Sequence, residues 1–215
     1  MVAAENRPLL TKLLLPGKAA EWETIGFALS GASFQVGQVT CAVGASGPGW
    51  GFNRGVQGSG GLCGIVTEQF AELPSSGRSS KQPNGTTKID HVVVVSKAPS
   101  QTKAAFELFG LVGKGARLVG AGDSQRSYCF FWSGELLIEL VGPAIEQHGA
   151  SPEARIWGVT FVVDGFEPLR ALGDAVVSGP RAAVQPGRQI ATLARQQGIG
   201  IALAFISPHV KGSGA

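Results

Sequence analysis

At 215 residues the chain is long enough to bury one large core or two small ones without relying on disulfides. Hydrophobic residues make up 44% and charged residues only 15%, well below the roughly 25% of an average soluble domain, which excludes disorder throughout. The net charge of +3 is carried by lysines and arginines scattered along the chain, so there is no basic run to hold a nucleic acid.

The longest apolar stretch, residues 199–208, is about half of the ~20 residues that span a bilayer. Residues 9–15 are leucine-rich, but Lys12 interrupts them and no small-residue cleavage site follows, so they make a poor signal peptide. The expectation is a soluble, cytoplasmic protein with no membrane partner. Cys41, Cys63 and Cys129 are odd in number and embedded in apolar sequence, which fits buried thiols better than a disulfide framework or a zinc site. The 32 glycines are about twice the usual share of roughly 7% and fall between apolar runs, as expected for many short strands joined by tight turns.

In chain order, residues 1–72 read as a degenerate βαβββ-like module. Lys18-Ala19-Ala20 leads to Ile25-Gly26-Phe27, and strands follow at 34–43 and 50–54. The glycine-rich turn at 44–51 matches neither the P-loop nor G-x-G-x-x-G, so no phosphate role is assigned to it. Residues 73–87, crowded with Pro, Ser, Gly and Asn, read as a flexible linker. In the block 88–208, residues 89–95 form a β-branched run, and 100–109 show helical spacing of Ala105, Leu108 and Phe109 before Gly110 ends the helix. Strands follow at 117–120, 128–132 and 135–141, the last two joined by the turn Ser133-Gly134. The same order then returns: a strand at 156–163, a short helix near 168–172, and strands around Ala182, at 188–193 and at 201–206. Residues 209–215 read as a tail.

The block is therefore a tandem of two βαβββ units. Ile89 answers to Ile156 at an offset of 67, Arg126 to Arg188, and Glu139 to Ala204 at an offset of 65, a drift that altered loops explain.

These landmarks resemble the vicinal oxygen chelate superfamily, the glyoxalase, bleomycin-resistance and extradiol dioxygenase relatives. The resemblance is carried by Ile89-Asp90-His91-Val92-Val93-Val94, by Glu139-Leu140-Val141-Gly142-Pro143, by the run from Trp157 to Asp164, and by the stretch from Ala183 to Thr192. It implies an α+β fold in which paired βαβββ modules form a cupped mixed sheet. It also implies a cup whose metal ligands stand on the first and last strand of each unit. The first unit supplies His91 and Glu139 at those positions, donors suited to divalent Fe, Mn, Ni, Zn or Co. The second supplies Gly158 and Ala204, which ligate nothing, so the implied metal set is half intact.

Strand parity can be read without the resemblance. If His91 points into the cup, Val93 and Val95 share its face, as Leu137 and Val141 share that of Glu139. A buried carboxylate needs a cation, a metal or a hydrogen-bonding neighbour, and a His91–Glu139 pair without metal meets that need as well as a metal does. Arg126 and Arg188 open the third strand of each unit. They are expected either to converge on the rim and hold an anion, or to be solvated strand-edge arginines. Tyr128, Phe130 and Trp132 alternate, with Tyr128 a candidate for the pocket wall and the core expected to hold at least two of the three. No G-x-S-x-G, H-E-x-x-H or paired C-x-x-C occurs, and His148 and His209 fall in loops.

Two functions follow. One is a glyoxalase-like protein that binds a small oxygenated or anionic organic molecule, with Arg126, Arg188, Tyr128, Gly158 and Ala204 around the ligand. In it His91 and Glu139 hold a divalent metal that assists lyase, isomerase or dioxygenase chemistry, or Glu139 acts as the catalytic base. The other is a metal-free binding or scaffold protein. The apolar sheet of residues 1–72 must also be covered, either by the block 88–208 or by a second copy in a homodimer.

Overall fold

In the computed structural model, which describes residues 7–54, 61–71 and 81–209, the strands gather into two mixed sheets. The smaller sheet holds β1 (Leu10–Leu15), β2 (Ser33–Val36), β3 (Val39–Val43), β4 (Gly49–Phe52) and β5 (Thr67–Glu68), with α1 (Ala19–Thr24) after β1; its order is β2-β3-β1-β4-β5. The larger sheet begins with β6 (Thr86–Ser96), α2 (Pro99–Phe109), β7 (Val112–Val119), β8 (Arg126–Ser133) and β9 (Leu136–Pro143). It continues with β10 (Ala154–Val163), α3 (Glu167–Arg170), β11 (Val177–Ala182), β12 (Gln189–Leu193) and β13 (Ala202–Ile206), in the order β11-β12-β13-β10-β6-β9-β8-β7.

The two halves of this order mirror one another, and residue register shows it directly. β6 and β10 are antiparallel and meet at Val92 opposite Val159, two residues 67 apart. On either side of that pair, His91 faces Thr160 and Val93 faces Gly158, so a twofold operation sends His91 to Gly158 and Val93 to Thr160. It also sends the parallel pair Val93–Glu139 to Thr160–Ala204, recovering the offset of 65. Each central strand carries one extra residue at equivalent places, Asp90 on β6 and Trp157 on β10, where the register slips.

Alternation along the strands sorts the two faces of the large sheet. Val92 and Val94, Ile138 and Leu140, and Cys129 and Phe131 point to the back and are buried; His91, Val93, Glu139, Val141 and Tyr128 point to the concave front. The back of the first repeat is covered by α2, which starts on Pro99 and stops at Gly110, where φ is +104°. Its Phe106 stacks edge-on between Phe131 and Trp50, with ring centroids 5.4 and 5.8 Å away. The second repeat has only the four-residue α3 in that place. Phe27, from the loop after α1, fills in against Phe161 and Phe205 at 5.2 and 6.5 Å.

The apolar face of the small sheet is thus covered by the large sheet of the same chain, in one continuous core. This removes the reason to require a second copy. The small sheet also differs from a lone βαβββ module. Its strands pair in the same senses as β8-β9-β6-β10-β13: β3 parallel to β1, β4 antiparallel to β1, and β5 parallel to β4. It therefore has the ground plan of a paired module with the outer strands missing. The leucine-rich stretch that reads as a failed signal peptide is its central strand, β1, with Leu13 and Leu15 fully buried.

Other expectations change in detail. Residues 73–80 and 210–215 lie outside the described residues. Residues 81–87 are not a loose linker: Gln82 donates to the carbonyl of Gln35, Asn84 donates to that of Ile25, and β6 starts at Thr86. The hairpin turn is Gly134-Glu135, one residue later than expected, with Gly134 at φ +65°. Tyr128, Phe130 and Trp132 avoid the core; Arg117 lies over the first two and Lys114 over the third. All three cysteines are free thiols. No helix among the described residues is long and apolar enough to cross a membrane.

Candidate functional site

The concave front of the large sheet encloses a cavity of about 490 Å³. Val93, Val95, Val141, Trp157 and Ile190 give it apolar walls. His91, Glu139, Thr160, Thr192, Tyr128 and Arg181 are the residues that bring polar groups to it. Of the residues singled out from sequence, His91, Glu139, Tyr128, Gly158 and Ala204 all line this space. Gly158 and Ala204 sit where the twofold places the counterparts of His91 and Glu139; neither brings a donor to the cup, and Gly158 is packed so closely that a Cβ there would lie 2.9 Å from the carbonyl oxygen of Ala202.

His91 is held on both ring nitrogens. The extra residue in β6 re-aims Asp90, so that two consecutive side chains meet, with Asp90 Oδ2 and His91 Nδ1 2.8 Å apart. On the other side, His91 Nε2 lies 3.0 Å from Thr160 Oγ1, its direct cross-strand neighbour. Asp90 in turn accepts from Arg188 Nη2 at 2.6 Å, and Arg188 also donates from Nε to the carbonyl of Ser207 at 2.8 Å. The Arg188 side chain is 1% exposed and that of Asp90 11%, so this is a buried pair. Burial pushes the Asp90 carboxyl upward, but the hydrogen bonds from His91 and Arg188 outweigh it and hold the group down to about 2. His209 completes the cluster, with Nε2 3.2 Å from Arg188 Nη1.

Glu139 is the counterpoint. Among the described residues it makes no hydrogen bond or ion pair, and its carboxyl is raised from its ordinary value, first by burial and also by the nearby Asp90, with His91 and Arg117 acting against that rise. The His91–Glu139 hydrogen bond allowed by the sequence is absent because Asp90 and Thr160 have taken both imidazole nitrogens.

The donor set does not fit a resident divalent metal. No group of three or more His, Cys, Asp or Glu side chains placed to hold an ion occurs among the described residues. His91 Nε2 is engaged by Thr160, and Gly158 and Ala204 contribute no donor, so one imidazole and one carboxylate remain where three protein ligands are usual.

The two arginines expected at the rim part company. They do occupy equivalent places, but Arg188 is buried against Asp90, while Arg126 is exposed, donates to the carbonyls of Asp123 and Gln125, and lines a separate groove with Lys97 and Asp123. Neither lines the cavity. The cavity-lining arginine is Arg181, which sequence reading passed over together with Asp90, Trp157 and Thr160. Thr160 shares the parity of Gly158 and was within reach of the alternation argument; Asp90 was hidden by the register slip, which no alternation rule foresees.

No family model matches the chain, and no curated protein does. Among solved structures, a triple mutant of 4-hydroxymandelate synthase from Streptomyces coelicolor is similar with a TM-score of 0.59 and 14% identity, over 96% of this chain and 94% of that one. Methylmalonyl-CoA epimerase from Mycobacterium tuberculosis has a TM-score of 0.45 and 13% identity, over 61% of this chain and 95% of that one. A hypothetical protein from Bacillus halodurans C-125 has 0.44 and 17%, over 59% and 98%. The likeness to the synthase, over nearly the whole of both chains, shows a shared fold.

Proposed function

We propose that the cup is a metal-independent binding site for a small oxygenated organic molecule, with Glu139 as the group that exchanges a proton with it. The observation that carries this is the pairing of a roomy apolar cavity with one unpartnered, raised carboxyl beside a fully anchored imidazole. Valine, isoleucine and tryptophan walls hold a hydrocarbon body by burial. Polar groups at the junction of the repeats orient its oxygens: Thr160, which His91 holds in place, as a hydrogen-bonding group, and Glu139 as donor when protonated and acceptor when ionised. A carboxyl with no partner of its own is free to serve the ligand, and burial raises its hold on a proton.

The superfamily resemblance assigns His91 and Glu139 to a metal, but Gly158 and Ala204 favour the metal-free reading, because they bring no donor to the cup and Ala204 leaves room beside Glu139. The cup then accepts a bulkier guest than a four-ligand site would.

The test is a thermal-shift screen of small keto acids, hydroxy acids and phenols with chelator present, using the wild type beside Ala204→Phe, which fills the cavity. Ligands that raise the melting temperature of the wild type and not of the filled variant support the reading. Stabilisation that appears only when a divalent metal is added overturns it.

A further inference from the structure

The mouth of the cup has a feature that sequence reading sought at the wrong residues. On edge strand β7, Arg117 stands directly opposite Tyr128; on the other edge strand, β11, Arg181 stands directly opposite Ile190. Tyr128 and Ile190 are themselves equivalent, since they pair with Val141 on β9 and Ile206 on β13, residues 65 apart. The twofold that relates His91 to Gly158 therefore relates Arg117 to Arg181. Directly opposed residues share a face, and both Tyr128 and Ile190 line the cavity, so both arginines belong to its front. The order of the sheet puts them on its two outermost strands, hence on the two lips.

Both are exposed, and neither is in an ion pair with a carboxylate among the described residues. Arg117 instead lies over the rings of Tyr128 and Phe130, 5.3 and 5.4 Å from their centroids. That stacking fixes the guanidinium plane while leaving its N–H fork free to donate. Two planar five-donor groups at an apolar cavity are suited to a carboxylate, sulfonate or phosphate, which they bind bidentately.

We propose that Arg117 and Arg181 form an anion clamp at the mouth of the cup, which takes an amphiphilic organic anion with its oxyanion between the guanidiniums and its apolar body in the cavity. This rests on the cup being a ligand site.

The experiment uses two fluorescent probes of nearly the same body: 8-anilinonaphthalene-1-sulfonate and N-phenyl-1-naphthylamine, which lacks the sulfonate. Both are titrated into the full-length wild type, Arg117→Gln, Arg181→Gln, the double variant and Ala204→Phe. For exposed charge contacts each single exchange is expected to weaken the sulfonate probe about fivefold and the double about twentyfold, with a loss that shrinks at high salt. The uncharged probe keeps its affinity in all three, which also shows that they remain folded. Sulfonate affinity unchanged in the double variant overturns the clamp while leaving the cup reading intact. Failure of both probes to bind the wild type, or equal binding by Ala204→Phe, overturns the cup reading and the clamp with it.

Discussion

The imidazole of His91 meets the hydroxyl of Thr160 across the junction of the two repeats, Nε2 and Oγ1 3.0 Å apart, while its Nδ1 lies 2.8 Å from Asp90. The Asp90 carboxylate, held down to about 2, can only accept at neutral pH, so Nδ1 carries the proton. With the single ring proton on Nδ1, the imidazole accepts at Nε2 from the Thr160 hydroxyl, whose oxygen keeps a lone pair for the cavity. Long-range proton–nitrogen correlation spectra, assigned by comparison with His91→Gln, are expected to show the Nδ1–H tautomer. An Nε2–H tautomer would remove Thr160 as a donor and reverse the polarity of the cavity floor.

The Asp90–Arg188 pair is worth more to the fold than to any ligand. Truncating one partner of a buried ion pair costs about 3–5 kcal/mol because the other charge is stranded. Arg188→Met is expected to lose about that much in urea unfolding, and the double variant Asp90→Asn, Arg188→Met to lose less than the sum of the single changes. Additive losses would mean the two groups do not act together.

The same pair sets an acid limit. Asp90 has a folded value below its ordinary 3.8, so its contribution is complete above about pH 4 and disappears as pH falls toward about 2. Glu139 has the opposite sign. Its folded value is raised, so the folded protein holds that proton more tightly than the unfolded chain, and stability falls as pH rises through the carboxylate range. Glu139→Gln is therefore expected to raise the melting temperature at pH 8, with the gain vanishing below pH 4. A variant less stable than the wild type at pH 8 would show that Glu139 has a stabilising partner.

Phe27 ties the small sheet to the back of the second repeat through Phe161 and Phe205. It is 2% exposed, and its truncation to alanine is expected to cost about 3–5 kcal/mol, a fall of roughly 10 °C in a chain of this size. A loss below about 1 kcal/mol would mean that the two sheets are not stabilised through this contact.

The duplicated unit was legible because period-2 alternation and turn residues repeat with nearly constant offsets, and Ile89, Glu139 and their partners obey both rules. The cup positions of His91, Glu139, Gly158 and Ala204 are those the superfamily resemblance implies, and strand parity agrees with them for His91 and Glu139. Sequence reading failed where register slips or where a cation is chosen among equals. Asp90 is displaced by an extra residue, and nothing in the sequence separates Arg117 and Arg181 from Arg126 and Arg188, since both pairs stand at equivalent places on strands of the two units. The role of residues 9–15 was hidden for another reason: with leucines on both sides of the strand and Lys12 the one charge among them, β1 shows no clean alternation and resembles a targeting segment.

The metal-independence of the cup is tested most directly by equilibrium dialysis of the full-length protein against Fe(II), Mn(II), Co(II), Ni(II) and Zn(II) in turn, followed by elemental analysis. Retention well below one equivalent of each metal, unchanged in a His91→Ala, Glu139→Ala double variant, is the expected result. One equivalent of any of them, retained by the wild type and lost in that variant, would contradict it.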